Sequence, residues 1–261
     1  MIRARLLRAW PLLTCLTLAL CAGCATAPAT TFILGPSRSA EPAGGSRRTA
    51  QLQAEADLTI QSVSQCLGLA EPLVRATVRV FGSRSALRDF LGKECPHQAN
   101  SPAACFETED GYVVALYEQG DDRTLRCLRH EITHYVLAAH FYDVPPWADE
   151  GLAQYFEIGP PTGRPDPGRL KLLVRGLDGA PPGMLTRLVS LRVGARLTRR
   201  EYAQAWGLVS FLMSRSHGAA DMRRYLQQVR AEGDPQEQFR EAFGCNPVRL
   251  EADFRAYVRR R

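Results

Sequence analysis

The spacing of apolar and polar residues separates a short mixed segment from a long helical one. Apolar residues recur every three or four positions over residues 50–69, which predicts an amphipathic helix. Apolar and polar residues alternate over residues 73–81, so a strand is expected there. Residues 106–109 and 112–117 predict two further strands, joined at Asp110-Gly111, a favourable dipeptide for a hairpin turn. These strands indicate a small sheet.

After residue 120 the pattern is mostly helical. The longest periodic stretch covers residues 123–141, and residues 148–156 predict a second helix after a Pro-Pro pair. Residues 159–168, which contain four prolines, predict an irregular loop. The later predicted helices are residues 183–191, 199–216, 220–232, 235–243 and 247–260. We therefore expect an α+β fold, in which a small N-terminal sheet packs on the helix of residues 123–141 and a mostly helical C-terminal half follows.

The first 23 residues have the composition of a signal peptide. Three arginines precede an apolar run that is too short to cross a bilayer as a stable helix. The run ends in LCAGC at residues 20–24, which resembles a bacterial lipobox. Residues 1–23 are therefore expected to be a lipoprotein signal peptide, with lipidation of Cys24. The alternative is an ordinary secretory signal that is cut nearby.

Export determines the expected location and organisation. Lipidated Cys24 would anchor the chain in the bacterial cell envelope, as an outer-membrane lipoprotein that faces the periplasm; the alternative is a soluble periplasmic or secreted protein. Residues 24–49 are rich in Ala, Pro, Gly and Ser and predict a flexible tether, while residues 50–261 form the domain. Loss of the three arginines in residues 1–23 lowers the formal net charge from +6 to +3, a modest excess that does not indicate nucleic acid as a partner.

Five cysteines follow the expected anchor. They are Cys66, Cys95, Cys105, Cys127 and Cys245. Disulfides persist in exported proteins, and Cys95 and Cys105 enclose a turn-rich insert. A bridge between those two is expected, and the odd number leaves at least one thiol free or paired with another chain.

Residues 130–134 read His-Glu-Ile-Thr-His, an HExxH motif inside the helix predicted over residues 123–141. Residues four apart lie on one face of a helix, so His130 and His134 can offer two imidazole nitrogens to one metal ion, while Glu131 can activate a bound water. A catalytic zinc ion has three protein ligands and one open position. Glu150, in the next predicted helix, is the candidate third ligand. The competing interpretation is a surface helix with two exposed histidines.

Two neighbouring residues are alternatives in this site. Asp149 adjoins Glu150 and could replace it as the third ligand, although a step of one residue turns about 100° around a helix. Cys127 lies one turn before His130, and as a fourth ligand it would make the zinc structural. We expect His130, His134 and Glu150 to bind Zn²⁺.

Four stretches of the chain resemble the peptidase MA-like family of gluzincins, the zinc metallopeptidases related to thermolysin. They are HEITHYVL (130–137), PPWADEGLAQYFE (145–157), YAQAWGLVSFL (202–212) and FGCNPVRLEADFRAYV (243–258), of which the first two are the most specific. The resemblance spans roughly residues 70–260. It implies a zincin-like fold in which His130, His134 and Glu150 bind zinc and Glu131 is the general base.

The resemblance also bears on residues outside the ligand set. Tyr202 is the candidate donor to the oxyanion, with His217 as the alternative. The strand of residues 112–117 would form the sheet edge beside the cleft and could hold an extended peptide by strand addition. Family members often carry an acidic residue four positions after the ligand glutamate, where this chain has Gln154. If that position orients the metal site, zinc affinity would be weaker.

The function expected from these features is zinc-dependent, endopeptidase-type hydrolysis of peptide bonds in the bacterial envelope. The partners would be a protein or peptide substrate and, through lipidated Cys24, the membrane. The main alternative is a non-catalytic envelope binding or assembly module that retains a metallopeptidase fold. The intact Glu131 argues against that module, because a purely structural site needs no base. Hydrolysis of a cell-wall peptide is a third interpretation.

Overall fold

The computed structural model describes residues 30–35, 46–159 and 166–261 of the chain. The expected signal peptide, Cys24 and most of the expected tether lie outside these ranges. Within them, no helix combines the length and the apolar character that a membrane span requires.

The described residues contain a four-stranded mixed sheet. Its strands are β1 (Thr30–Leu34), β2 (Ala76–Phe81), β3 (Ala103–Thr108) and β4 (Gly111–Tyr117), in the spatial order β1-β2-β4-β3. β2 and β4 run parallel, whereas β1–β2 and β3–β4 are antiparallel. The predicted hairpin at residues 110–111 is confirmed, since Thr108 pairs with Gly111. The expectation that residues 112–117 form the sheet edge is wrong, because β4 lies between β2 and β3, and β3 is the edge strand.

The expected tether contains part of the fold. The sequence predicts a flexible tether over residues 24–49, but within it Thr30–Leu34 pairs with β2 as an outer strand. Phe32 and Leu34 of this strand are buried in the main core. The prediction failed because five residues between Pro- and Gly-rich stretches are too few to show a period. The strand is stabilised by pairing with residues more than forty positions later.

Ten helices are found in the described residues. They are α1 (Arg47–Leu67), α2 (Arg84–Glu94), α3 (Asp121–His140), α4 (Pro146–Phe156), α5 (Pro167–Asp178), α6 (Met184–Val189), α7 (Arg199–Met213), α8 (Gly218–Gln228), α9 (Pro235–Phe243) and α10 (Pro247–Arg259). The coarse α+β prediction is confirmed. α1 and α3 pack on one face of the sheet to form the main core, while α2 covers the other face. In the helical half, α7 packs against α4, α5, α8 and α10.

One of these helices, α5, was not predicted. Its first residues lie in the stretch 159–168 that was expected to be an irregular loop. Asp166 caps the helix by accepting a hydrogen bond from the backbone N–H of Arg169 at 2.8 Å, and Pro167 occupies the first turn. The same Asp-Pro start predicted α9 correctly at residues 234–235. The signal was therefore present, but the three other prolines of this stretch concealed it.

All five cysteines in the described residues are free thiols, so the expected Cys95–Cys105 bridge is not formed. Successive side chains of a strand point to opposite faces of the sheet. Cys105 of β3 packs against the main core, whereas Cys95 belongs to the small cluster under α2 on the opposite face. Closeness in sequence suggested the bridge, and the sheet between the two side chains prevents it.

Candidate metal centre

The three predicted ligands come together where α3 and α4 meet. On α3, His130 Nε2 and His134 Nε2 lie 3.1 Å apart, as expected for residues one turn apart. Glu150 of α4 places its Oε2 3.3 Å from His130 Nε2 and 3.8 Å from His134 Nε2. One donor atom from each of these residues lies within 4.8 Å of the others. The predicted meeting of His130, His134 and Glu150 is therefore present.

The chemistry of this donor set fits a zinc ion. Two imidazole nitrogens and one carboxylate oxygen are the protein ligands of many catalytic zinc sites. Glu150 Oε2 is buried, and no group in the described ranges donates a well-aligned hydrogen bond to it. A buried anionic oxygen without such a donor is unfavourable unless a cation neutralises it. A cation placed among these three atoms would serve all of them.

The short distances between these imidazoles and carboxylates also determine the protonation of the metal-free site. Burial lowers the pKa of His134, but the carboxylates of Asp149 and Glu150 outweigh burial and raise it to about 9. Burial raises the pKa of Glu150, but the two histidines outweigh burial and lower it to about 2. Without a metal the site therefore holds protons on imidazole next to an ionised carboxylate. Because ligating imidazoles are neutral, a metal ion would displace those protons.

Each imidazole also contacts a second carboxylate through its Nδ1 atom, and this contact orients the ring. His134 Nδ1 lies 2.8 Å from Asp149 Oδ1, and His130 Nδ1 lies 3.1 Å from Glu157 Oε2. A carboxylate that accepts the Nδ1–H leaves Nε2 with a lone pair for a metal. Asp149, the alternative third ligand, is therefore placed behind His134, because one step along α4 turns its side chain away from Glu150. Glu157 was not predicted, although its place two turns after Glu150 was a usable signal.

Glu131 is buried beside the ligand pair and lines the same cleft. Burial raises the pKa of its carboxyl group above the ordinary value, which makes it a better proton acceptor than an exposed glutamate. Cys127 does not belong to the cluster of donor atoms; its sulfur is 3.3 Å from Gln119 Nε2, which donates to it. The structure gives no support to Cys127 as a fourth ligand.

Tyr202 of α7 lies at the mouth of the site. Its hydroxyl donates to Glu150 Oε1 at 3.0 Å, so each oxygen of Glu150 has a different neighbour. His217, the alternative oxyanion donor, is exposed at the start of α8 and is not among the residues that line the cleft. Of the two candidates, only Tyr202 is near the proposed metal ligands.

Gln154 has a structural role instead of the orienting role expected of an acidic residue there. Its Nε2 donates to the backbone oxygen of Glu150 at 3.0 Å and to that of Tyr202 at 3.1 Å. The side chain is buried and ties α4 to α7. A carboxylate could not donate these two hydrogen bonds, so glutamine at position 154 joins the two helices as an acidic residue could not.

The site opens into a cleft of about 1580 Å³. Its lining includes residues of β3, the site residues and residues 193–197, before α7. Because β3 is the edge strand, none of the other described strands pairs with its outer side. Cys105, in the middle of this strand, lines the same cleft as Glu131 and Asp149. An extended chain along β3 would therefore lie beside the site.

A scan of protein-family models finds no match for this chain, and a search of curated proteins finds none either. The geometry of the site therefore carries the functional interpretation.

Proposed function

We propose that this protein is a zinc-dependent hydrolase that cleaves peptide bonds, with a zincin-like fold of the gluzincin type. The observation that carries the proposal is the convergence of His130, His134 and Glu150 beside the buried Glu131, where all four residues line one cleft. Three ligands and an adjacent carboxylate are what hydrolysis at a metal requires, whereas a structural zinc site has four protein ligands.

Zinc bound by these residues would act as a Lewis acid on the scissile carbonyl and would lower the pKa of water. Glu131 would accept the proton from the attacking water and then transfer it to the leaving amine. Tyr202 would donate a hydrogen bond to the carbonyl oxygen as that oxygen gains charge. Its hydroxyl, 3.0 Å from Glu150 Oε1, is close enough to the site to exchange that partner for a substrate oxygen.

The open edge of β3 supports a polypeptide substrate. An extended peptide could add to this edge as a further strand and bring its backbone carbonyls over the site. The proposed substrate-binding strand is therefore β3. It replaces the strand of residues 112–117, which the sequence analysis named. A panel of protein, short-peptide and cell-wall peptide substrates would separate proteolysis from hydrolysis of cell-wall peptides.

The proposal places the enzyme in the bacterial envelope, anchored through lipidated Cys24. The support is the LCAGC stretch at residues 20–24. We expect Cys24→Ser to move the protein from the membrane fraction to the soluble periplasmic fraction. If the protein fractionates in the same way with either residue, it is not anchored through Cys24.

The decisive experiment measures zinc and hydrolysis on the same protein. The mature wild-type chain should contain one zinc ion, and Glu150→Ala should lose it or bind it far more weakly. Glu131→Gln should retain zinc but lose hydrolysis by about 100-fold or more, because it removes the base and leaves the ligands. Zinc binding without any hydrolysis would favour the non-catalytic binding module, and absence of zinc from wild type would contradict the proposal.

A further inference from the structure

We propose that Glu157 is the positioning residue of the metal centre: it holds His130 with Nε2 turned toward the ligand site. This inference rests on the proposed zinc site and deepens it. Glu157 lies at the end of α4, seven residues after Glu150, and contacts the imidazole from the side away from the cleft.

The two carboxylate oxygens of Glu157 have separate partners. Oε2 lies 3.1 Å from His130 Nδ1. Oε1 accepts hydrogen bonds from Arg126 Nη2 at 2.7 Å and from Arg169 Nη2 at 2.9 Å. The arginines come from α3 and α5, so two helices fix the oxygen that does not touch the histidine. The carboxylate is therefore held in one orientation, with Oε2 aimed at the imidazole.

The backbone of Glu157 is held as well. Arg129 Nη1 donates to its carbonyl oxygen at 3.1 Å, and Arg129 Nε is paired with Glu55 of α1 at 2.5 Å. Glu157 itself is only 8% exposed, so water does not compete freely for its oxygens. Charge-assisted hydrogen bonds of this kind are stronger when they are shielded from water. Position, rotamer and charge of this residue are all set by its neighbours.

This arrangement fixes the tautomer of His130. With one proton on Nδ1 donated to Glu157, the ring directs Nε2 toward His134 Nε2 and Glu150 Oε2, where a metal ion would displace any second proton. Removal of a carboxylate that accepts a hydrogen bond from a ligating histidine typically lowers metal affinity or activity about 10- to 100-fold. Glu157 supplies here the orienting carboxylate that Gln154 cannot supply.

A matched pair of variants tests the inference. Glu157→Gln keeps the size of the side chain but removes its charge, whereas Asp166→Asn removes a neighbouring carboxylate that also binds Arg126, at 2.7 Å. Asp166 does not contact His130, and asparagine can still cap α5. Both variants disturb the arginine network, but only the first changes the support of the imidazole.

The zinc dissociation constant would be measured by competition with a chromophoric chelator. We expect Glu157→Gln to weaken zinc binding about 10-fold or more, with a changed absorption spectrum of the cobalt-substituted protein. Asp166→Asn is expected to leave the zinc dissociation constant and the cobalt spectrum unchanged. Equal zinc affinity in folded Glu157→Gln and wild type would overturn the inference, as would an equal loss in Asp166→Asn. Absence of zinc from wild type would instead overturn the proposed function itself.

One further measurement needs no variant. In the metal-free wild-type protein, the Nδ1 proton of His130 should give a downfield, slowly exchanging NMR signal, because it is donated to a buried carboxylate. Absence of that signal would overturn the inference even if Glu157→Gln failed to fold.

Discussion

The helix α4 makes two contacts that differ in what they contribute to the protein. At the first contact, the acidic face, the carboxylates of Asp149 and Glu150 converge with the histidines of α3. At the second contact, the aromatic face, Trp147 is fully buried. Its ring packs 5.3, 5.8 and 6.4 Å from the rings of Tyr225, Phe239 and Phe243, respectively. An eleven-residue helix thus contributes to the site through one contact and to the core through the other.

The free-energy consequences of the two faces are opposite. Burial of aromatic rings stabilises the fold through the hydrophobic effect and ring packing. Burial of carboxylates costs free energy unless a cation or hydrogen bonds compensate, and Glu150 Oε2 has no aligned donor within the described part of the chain. Changes on the aromatic face should therefore lower stability, and changes on the acidic face should alter metal binding. The following predictions test that separation.

The largest expected effect is on the aromatic face. Trp147→Ala should lower the free energy of unfolding by about 3–5 kcal/mol, because it leaves a cavity among three rings. Urea unfolding of the metal-free protein would measure this loss. Val248→Ala, at an exposed position on α10, is the control and should change stability by less than about 0.5 kcal/mol. If Trp147→Ala lowered the free energy of unfolding as little as Val248→Ala does, the distinction between the two faces would be lost.

Metal removal tests the acidic face. Zinc that binds only the folded protein should stabilise it by about 4 kcal/mol when free zinc exceeds its dissociation constant about 1,000-fold. A chelator should therefore lower the Tm of wild type. Glu150→Ala should show little further loss with the chelator. If the metal-free variant is far less stable than metal-free wild type, Glu150 is also needed for packing.

Gly151, where α4 packs on α7, gives a smaller effect. A Cβ there would lie 2.6 Å from Val209 Cγ2 and 2.7 Å from the Ala205 carbonyl oxygen of α7. Gly151→Ala should therefore cost about 1–3 kcal/mol through overpacking. Gly176→Ala in α5 is a matched control, since nothing lies within 4 Å of its added Cβ, and it should be neutral or stabilising. Equal unfolding midpoints for the two variants would contradict this close packing of α4 on α7.

The smallest effect is expected at Asp149. Its side chain is 36% exposed, compared with 10% for Glu157, so water can replace part of its contact with His134. Asp149→Asn should consequently weaken zinc binding less than Glu157→Gln does. The same chelator competition measures both constants. A larger loss for Asp149→Asn would show that the exposed carboxylate is the more important support.

Local features were predictable from the sequence, and features that depend on distant pairing were not. His130, Glu131 and His134 follow from helical spacing, and the hairpin at residues 110–111 from its dipeptide. β3 is at the edge because β2 pairs in parallel with β4, and β1 forms because it pairs with β2. Neither pairing is encoded in a local sequence pattern.

Glu157 shows the same limit inside the site. Its spacing from Glu150 could be read from the sequence, but its role depends on arginines from α3 and α5 that meet only in the fold. The unformed Cys95–Cys105 bridge likewise depends on which sheet face each side chain occupies. In both cases the chemistry of the residues was visible and their relative placement was not.

The central claim is that one zinc ion binds where α3 and α4 meet. Anomalous diffraction at the zinc edge, from crystals of the mature protein grown with zinc, tests it most directly. We predict one strong peak per chain, about 2.0–2.2 Å from His130 Nε2, His134 Nε2 and a carboxylate oxygen of Glu150. A peak coordinated by Asp149 or Cys127, or no peak between these helices, would contradict the account.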